Sequence, residues 1–155
     1  ARGHSADMAN NGYVGHVDSQ GNGFEERMRF EDREDKKACM SPEERQGLED
    51  LEEIDGIEGE LPDPAAGENA GATFYETEFR DERNEETAVN ENEEEIAQAL
   101  VNDWMVSTPH RENILDERWN SISVGVYVSE GNSVFATQLF CGGDWPKLSN
   151  INISS

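Results

Sequence analysis

Only three histidines occur among the 155 residues, so each can be weighed for chemistry. His16 sits in Gly15-His16-Val17, after a helix break and ahead of the segment Asp18 to Gly23, where a loop imidazole flanked by glycine can approach a ligand closely. His110 follows Pro109 and precedes Arg111, just beyond the strongest helical pattern in the chain. It is either a site residue or a partner for that helix's C-terminal end, where the dipole favours a cation. His4 lies inside the first helical stretch and reads as a packing or surface residue. Glu68, in Gly67-Glu68-Asn69, is either a site ligand or a buried hydrogen-bond organiser. Two imidazoles and one carboxylate are the ligand set of many zinc sites, and a carboxylate with a histidine can also act as base and acid in hydrolysis.

The common enzyme fingerprints are missing: the chain has no HExxH, no GxSxG, no P-loop and no GxGxxG. Cys39 and Cys141 lie roughly a hundred residues apart, a spacing that matches no zinc knuckle or redox pair. They read as a disulfide or as two unrelated buried thiols. As a disulfide they would close a loop contributing roughly 4 to 5 kcal/mol in the chain-entropy model, and would imply an oxidising, extracellular compartment.

These residues need elements to position them. Residues 2 to 11 read as helix, broken at Asn11-Gly12, and a short helix follows from Phe24 to Phe30. Between Glu31 and Ala66 the chain is mostly charged. One helix is well signalled there, with Ser41 as N-cap, Pro42 in the first turn, Glu44 completing a capping box, and Leu48, Leu51 and Ile54 as a thin apolar stripe. The run Asp81 to Glu95 reads as a solvated loop turning helical near its end. Ile96, Ala97, Leu100, Val101, Trp104 and Met105 then recur at helical spacing, which predicts a helix with one buried face, ended at Thr108-Pro109. His110 to Leu115 adds one further helical turn. Ile122, Val124, Val126 and Val128 alternate with Ser123, Gly125, Tyr127 and Ser129, and with Val134 to Phe140 they predict an antiparallel hairpin. Helices, a mixed middle, a strong amphipathic helix and a hairpin make α+β the fold class. The chain also opens directly in a helical pattern, so one more helix is expected upstream of Ala1.

Composition narrows the partners. Asp and Glu number 35 against 12 Lys and Arg, for a formal charge of −23. A chain this acidic has no basic excess from which to build a phosphate-neutralising groove, and it is repelled by anionic membranes. Lysine is scarce, at Lys36, Lys37 and Lys147 only. Such a surface repels itself in dilute buffer and is suited to molar salt, where screening falls to about 3 Å. A halophilic source is the reading, against an ordinary acidic protein carrying a disordered acidic insertion. No stretch approaches the length of a membrane-spanning helix.

Four segments in order carry a resemblance: His4-Ser5-Ala6-Asp7-Met8-Ala9 with Tyr13 and His16; Gly67-Glu68-Asn69-Ala70; Trp104 through Thr108-Pro109-His110-Arg111-Glu112-Asn113-Ile114-Leu115; and Gly125-Val126 with Thr137-Gln138-Leu139-Phe140. Together they resemble the CAP superfamily of cysteine-rich secretory, antigen 5 and pathogenesis-related proteins, and most of all its prokaryotic SCP-like branch. The acidic composition, with Cys39 ahead of Gly-Glu-Asn and Cys141 directly after the last motif, looks like secreted haloarchaeal members.

The resemblance implies an α-β-α sandwich around a central antiparallel sheet, here without the family's first helix. It implies one domain over residues 1–141, with 31–66 as an acidic, partly helical insertion and 142–155 as an irregular tail. Family members often carry a cleft of two histidines and two acids, sometimes holding a divalent metal. By motif His16 matches the first histidine and Glu68 the first acid, while Ala136 and Ser107 stand where the other two would be. The expected cleft is therefore His16, Glu68, Asn69, His110 and Gln138, with His110 supplying a second imidazole from a neighbouring loop and zinc, if any metal, held by His16 and His110. The function this implies is a secreted, monomeric binding module for a small ligand, lipid or cell-surface partner, with no catalytic residue assigned. The alternative is a metal-dependent hydrolase of cell-surface peptides or lipids, with Glu68 as base.

Overall fold

A computed structural model describes residues 1–28, 30, 33–55, 61, 63–74 and 92–142. The chain runs α1 (Arg2–Asn11), α2 (Phe24–Arg27), α3 (Arg33–Lys37), α4 (Pro42–Asp55), β1 (Ala65–Phe74), α5 (Glu93–Val106), α6 (Thr108–Leu115), β2 (Trp119–Val128) and β3 (Ser133–Gly142). The three strands form one antiparallel sheet in the order β1-β3-β2. Helices lie on both faces, so the class is α+β, and the arrangement matches a CAP-type sandwich.

Local chemistry accounts for the element ends. Gly12 closes α1 in the left-handed region at φ 69°, which a side chain would strain. The capping box at α4 forms as its sequence predicts, Ser41 Oγ accepting from Glu44 N and Glu44 Oε2 from Ser41 N. Asn92 Oδ1 caps α5 by accepting from Glu95 N, and three glutamates in that first turn complement the helix dipole.

The sheet faces follow from strand alternation. On one face α1 packs across β2 and β3, with buried Ser5 Oγ 2.8 Å from both the Gly125 carbonyl and Thr137 Oγ1. A Cβ at Gly125 would lie 2.0 Å from the backbone of Arg2, so only glycine admits α1 this close. On the other face α5 and α6 cover β1 and β3, where Leu100, Trp104 and Ala136 form a cluster joined by Ile96 and Ile114. A second small cluster, Met40, Leu48 and Leu61, lies within the acidic insertion. It is clipped to the end of β3 by the Cys39–Cys141 disulfide, which replaces the alternative of two free thiols.

The structure corrects several expectations. Residues 65–74 form strand β1, in a Gly- and Ala-rich stretch without the β-branched signal of a strand. The second helix is shorter than expected, ending at Arg27, and the short α3 was unforeseen. His110 does lie just beyond the C-terminus of α5, but Ser107 also opens α6, so His110 falls in the first turn of that helix, where the dipole opposes a cation and does not favour one. Ile122, Val124, Val126 and Val128 point to solvent, because α5 and α6 reach only across β1 and β3, while Gly125 between them faces α1. Gly142 belongs to β3 and not to the tail. The side chains of Leu51 and Ile54, the loop from Asp81 to Glu91 and residues 143–155 lie outside the described residues.

Candidate functional site

The site is built at the β1 end of the sheet, where strand alternation sends neighbouring residues to opposite faces. Glu68 points to the α1 side and its side chain is 0% exposed. His16 reaches it from the loop after α1, with Nδ1 2.9 Å from Glu68 Oε1. Arg27, in the last turn of α2, brings Nη2 to 3.0 Å from Glu68 Oε1 and 2.9 Å from Oε2, and the same nitrogen donates to the His16 carbonyl at 2.9 Å. The contact to Oε2 is a charge contact out of hydrogen-bond alignment, the aligned bond being the one to Oε1. His4 completes the enclosure, with Nε2 2.7 Å from the Gly15 carbonyl and 3.8 Å from Glu68 Oε1, and its buried Nδ1 without a hydrogen bond.

Asn69 and Gln138 lie on the opposite face, beneath α6. Asn69 is fully buried: Nδ2 donates to the His110 carbonyl at 3.0 Å and to Gln138 Oε1 at 3.2 Å, and Oδ1 accepts from Asn113 Nδ2 at 3.0 Å. Asn113 also donates to the Glu68 carbonyl, and Trp104 Nε1 donates to the Ala70 carbonyl at 3.0 Å. Side chains of α5 and α6 thereby satisfy backbone groups of the edge strand and hold α6 against it.

The two walls meet at the strand edge. The His16 and His110 rings stand 6.3 Å apart between centroids, tilted by 52°, and the His16 side chain is 48% exposed. Burial, with the His16 ring as the lesser cause, holds the His110 imidazole below its ordinary value and so favours its neutral form.

A family model described as the cysteine-rich secretory protein family, CAP, matches residues 1–140. The chain belongs to the CAP superfamily. No curated protein and no solved structure matches it at a significant level. Among the described residues of this CAP domain, no helix is long and apolar enough to cross a membrane.

Of the residues expected in the CAP cleft, the structure brings His16, Glu68 and His110 to one place and sets Asn69 and Gln138 behind it as buried supports. Arg27 escaped the sequence reading, because it sits in a charged helix with no local mark of a partner in β1. His4, read as a packing or surface residue, is buried, and its place beside Glu68 was not foreseen.

A divalent metal does not suit this donor set. Glu68 is enclosed and already faces Arg27 and His16, and among the described residues no three His, Cys, Asp or Glu groups are arranged to hold an ion. Two imidazoles fall short of the three protein ligands of a catalytic zinc site. The same enclosure keeps the Glu68 carboxylate from a water in the cleft, so its geometry does not favour it as a general base.

Proposed function

We propose that this CAP domain is a secreted binding module, adapted to high salt, that recognises a small polar ligand or cell-surface partner at the His16–His110 cleft. One observation carries the reading. His16 Nδ1 donates a hydrogen bond to the buried Glu68 carboxylate at 2.9 Å, while the ring stays 48% exposed with the His110 ring 6.3 Å away. In the neutral ring that arrangement leaves Nε2 as an acceptor, suited to a ligand's hydroxyl or amide N–H. A buried acid that orients an exposed imidazole is a preorganised contact, whose ordering cost is met on folding and not on binding.

The disulfide supports export, since such bonds persist in oxidising compartments. The formal charge of −23 supports the salt adaptation.

The test is to label the histidines isotopically and follow their ring signals in molar KCl during titration with tri-alanine amide. Saturable shifts confined to His16 and His110, and lost in His16→Ala, are expected. Unmoved His16 and His110 signals at saturating peptide, or shifts that survive His16→Ala, overturn the reading.

A further inference from the structure

We propose that Arg27 is the resident cation of the cleft: it fills the place beside Glu68 that a divalent metal would take, and thereby makes the site one for metal-free ligands. This rests on the cleft being the recognition site, and it assigns the residue that sets which ligand class can enter.

A carboxylate with no exposed surface needs a counter-charge within hydrogen-bond reach, or its burial is strongly unfavourable. Arg27 supplies it at 2.9 to 3.0 Å, from a side chain only 15% exposed. The guanidinium keeps its charge across the whole accessible pH range, so this counter-ion, unlike a bound metal, cannot be released by acid or chelation. The same Nη2 bonds the His16 carbonyl, so the cation also fixes the loop that presents the imidazole.

An entering dication would need a Glu68 oxygen at about 2.0 to 2.2 Å and would then lie against the guanidinium. Like charges at that separation in a site closed to solvent oppose binding strongly. His16 at 2.9 Å and His4 at 3.8 Å are the further imidazoles at Glu68, and His4, buried behind the carboxylate, narrows the space left for an ion. With the guanidinium removed, Glu68, His16 and His110 offer two imidazoles and one carboxylate at the cleft, a recognised zinc set.

Removing the guanidinium should therefore give a gain in zinc binding and not a loss. Zinc is titrated calorimetrically in molar KCl into the intact protein, Arg27→Met, Arg27→Lys and the double variant Arg27→Met/Glu68→Gln. Arg27→Met is expected to bind one equivalent at least about tenfold more tightly than the intact protein, a difference on the scale of altered outer-shell groups at metal sites. Arg27→Lys keeps the cation and is expected to match the intact protein, and the double variant loses the gain.

Arg27→Met binding no more tightly than the intact protein, or a gain that persists without Glu68, overturns the proposal. Where Arg27→Met is unfolded, zinc is added during its refolding and followed by circular dichroism. Recovery of the native spectrum in Arg27→Met but not in the double variant supports the proposal, and no recovery overturns it. Because zinc alone is the probe, failure here leaves the peptide-binding reading standing, and failure of that reading leaves the zinc result intact.

Discussion

Asn69 Nδ2 donates to the backbone carbonyl of His110 at 3.0 Å, from the face of β1 opposite to the one that carries Glu68. Adjacent residues on one strand thus hold the two walls of the cleft, Glu68 through His16 and Asn69 through α6. Asn69→Ala would remove the side-chain donor to the His110 carbonyl and leave Gln138 Oε1 and one bond of Asn113 without that partner at a buried place. Each unsatisfied buried group costs about 1 to 3 kcal/mol, so a clear drop in the urea midpoint is expected. The His16 and His110 ring signals should shift together in this variant. An unchanged His110 environment would show that Asn69 does not hold α6.

His110 ties stability to pH. Its imidazole is held below the ordinary histidine value of 6.5, so between that value and the folded one the unfolded chain binds more protons. Stability from this group is present above about pH 6.5 and is lost as pH falls through the window beneath it. Thermal melts from pH 7.5 to 5 should show this fall, and His110→Gln should flatten it. A profile of the same slope in both proteins contradicts the assignment.

A second acid-sensitive point, in α1, anchors the loop that carries His16. Asp7 accepts from Tyr13 Oη at 2.5 Å, from Ser19 Oγ at 2.5 Å and from Ser19 N at 2.8 Å. The bonds from Ser19 and Tyr13 hold its carboxyl down at about 2, from an ordinary 3.8. The stability it adds is present above 3.8 and is lost as pH falls from there towards 2. Asp7→Asn should raise amide exchange between Tyr13 and Asn22 at neutral pH and remove the loop's sensitivity across that acid window. Exchange rates equal to those of the intact protein would show that Asp7 does not anchor the loop.

The disulfide spans 102 positions and ties the α3–α4 segment to the end of β3, where Asn120 Nδ2 adds bonds to the Cys39 carbonyl and to Glu44. Replacing both cysteines by serine should cost about 4 to 5 kcal/mol in urea unfolding, the chain-entropy figure for a loop of this size. Hydrogen exchange should rise first around Met40 and Leu48, whose small cluster sits on the segment that the bond ties to β3. Equal stability with and without the bond would mean that the insertion is held by its own packing.

Salt should act in the opposite sense to its usual effect on surface ion pairs. With 35 acids against 12 bases, like-charge repulsion dominates, and raising KCl from 0.1 to 2 M should raise the melting midpoint by several degrees. A midpoint independent of KCl removes the high-salt part of the functional reading.

By itself the sequence determined the elements whose signals are local. The Gly12 stop, the Ser41–Glu44 capping box, the amphipathic α5 and the β2–β3 hairpin each depend on residues a few positions apart, and backbone sterics and helix periodicity act over that range. The ordered motifs likewise named the CAP superfamily and marked His16 and Glu68. Tertiary structure alone decided the rest. Strand β1 exists because β3 offers it a ladder, against the weak propensity of Gly67 to Ala72. The valines of β2 face outward because α1 needs the bare backbone of Gly125 on the other side, a choice that alternation leaves open. Arg27 and His4 meet Glu68 only when α1, α2 and β1 are brought together, and no spacing along the chain records a contact formed by packing.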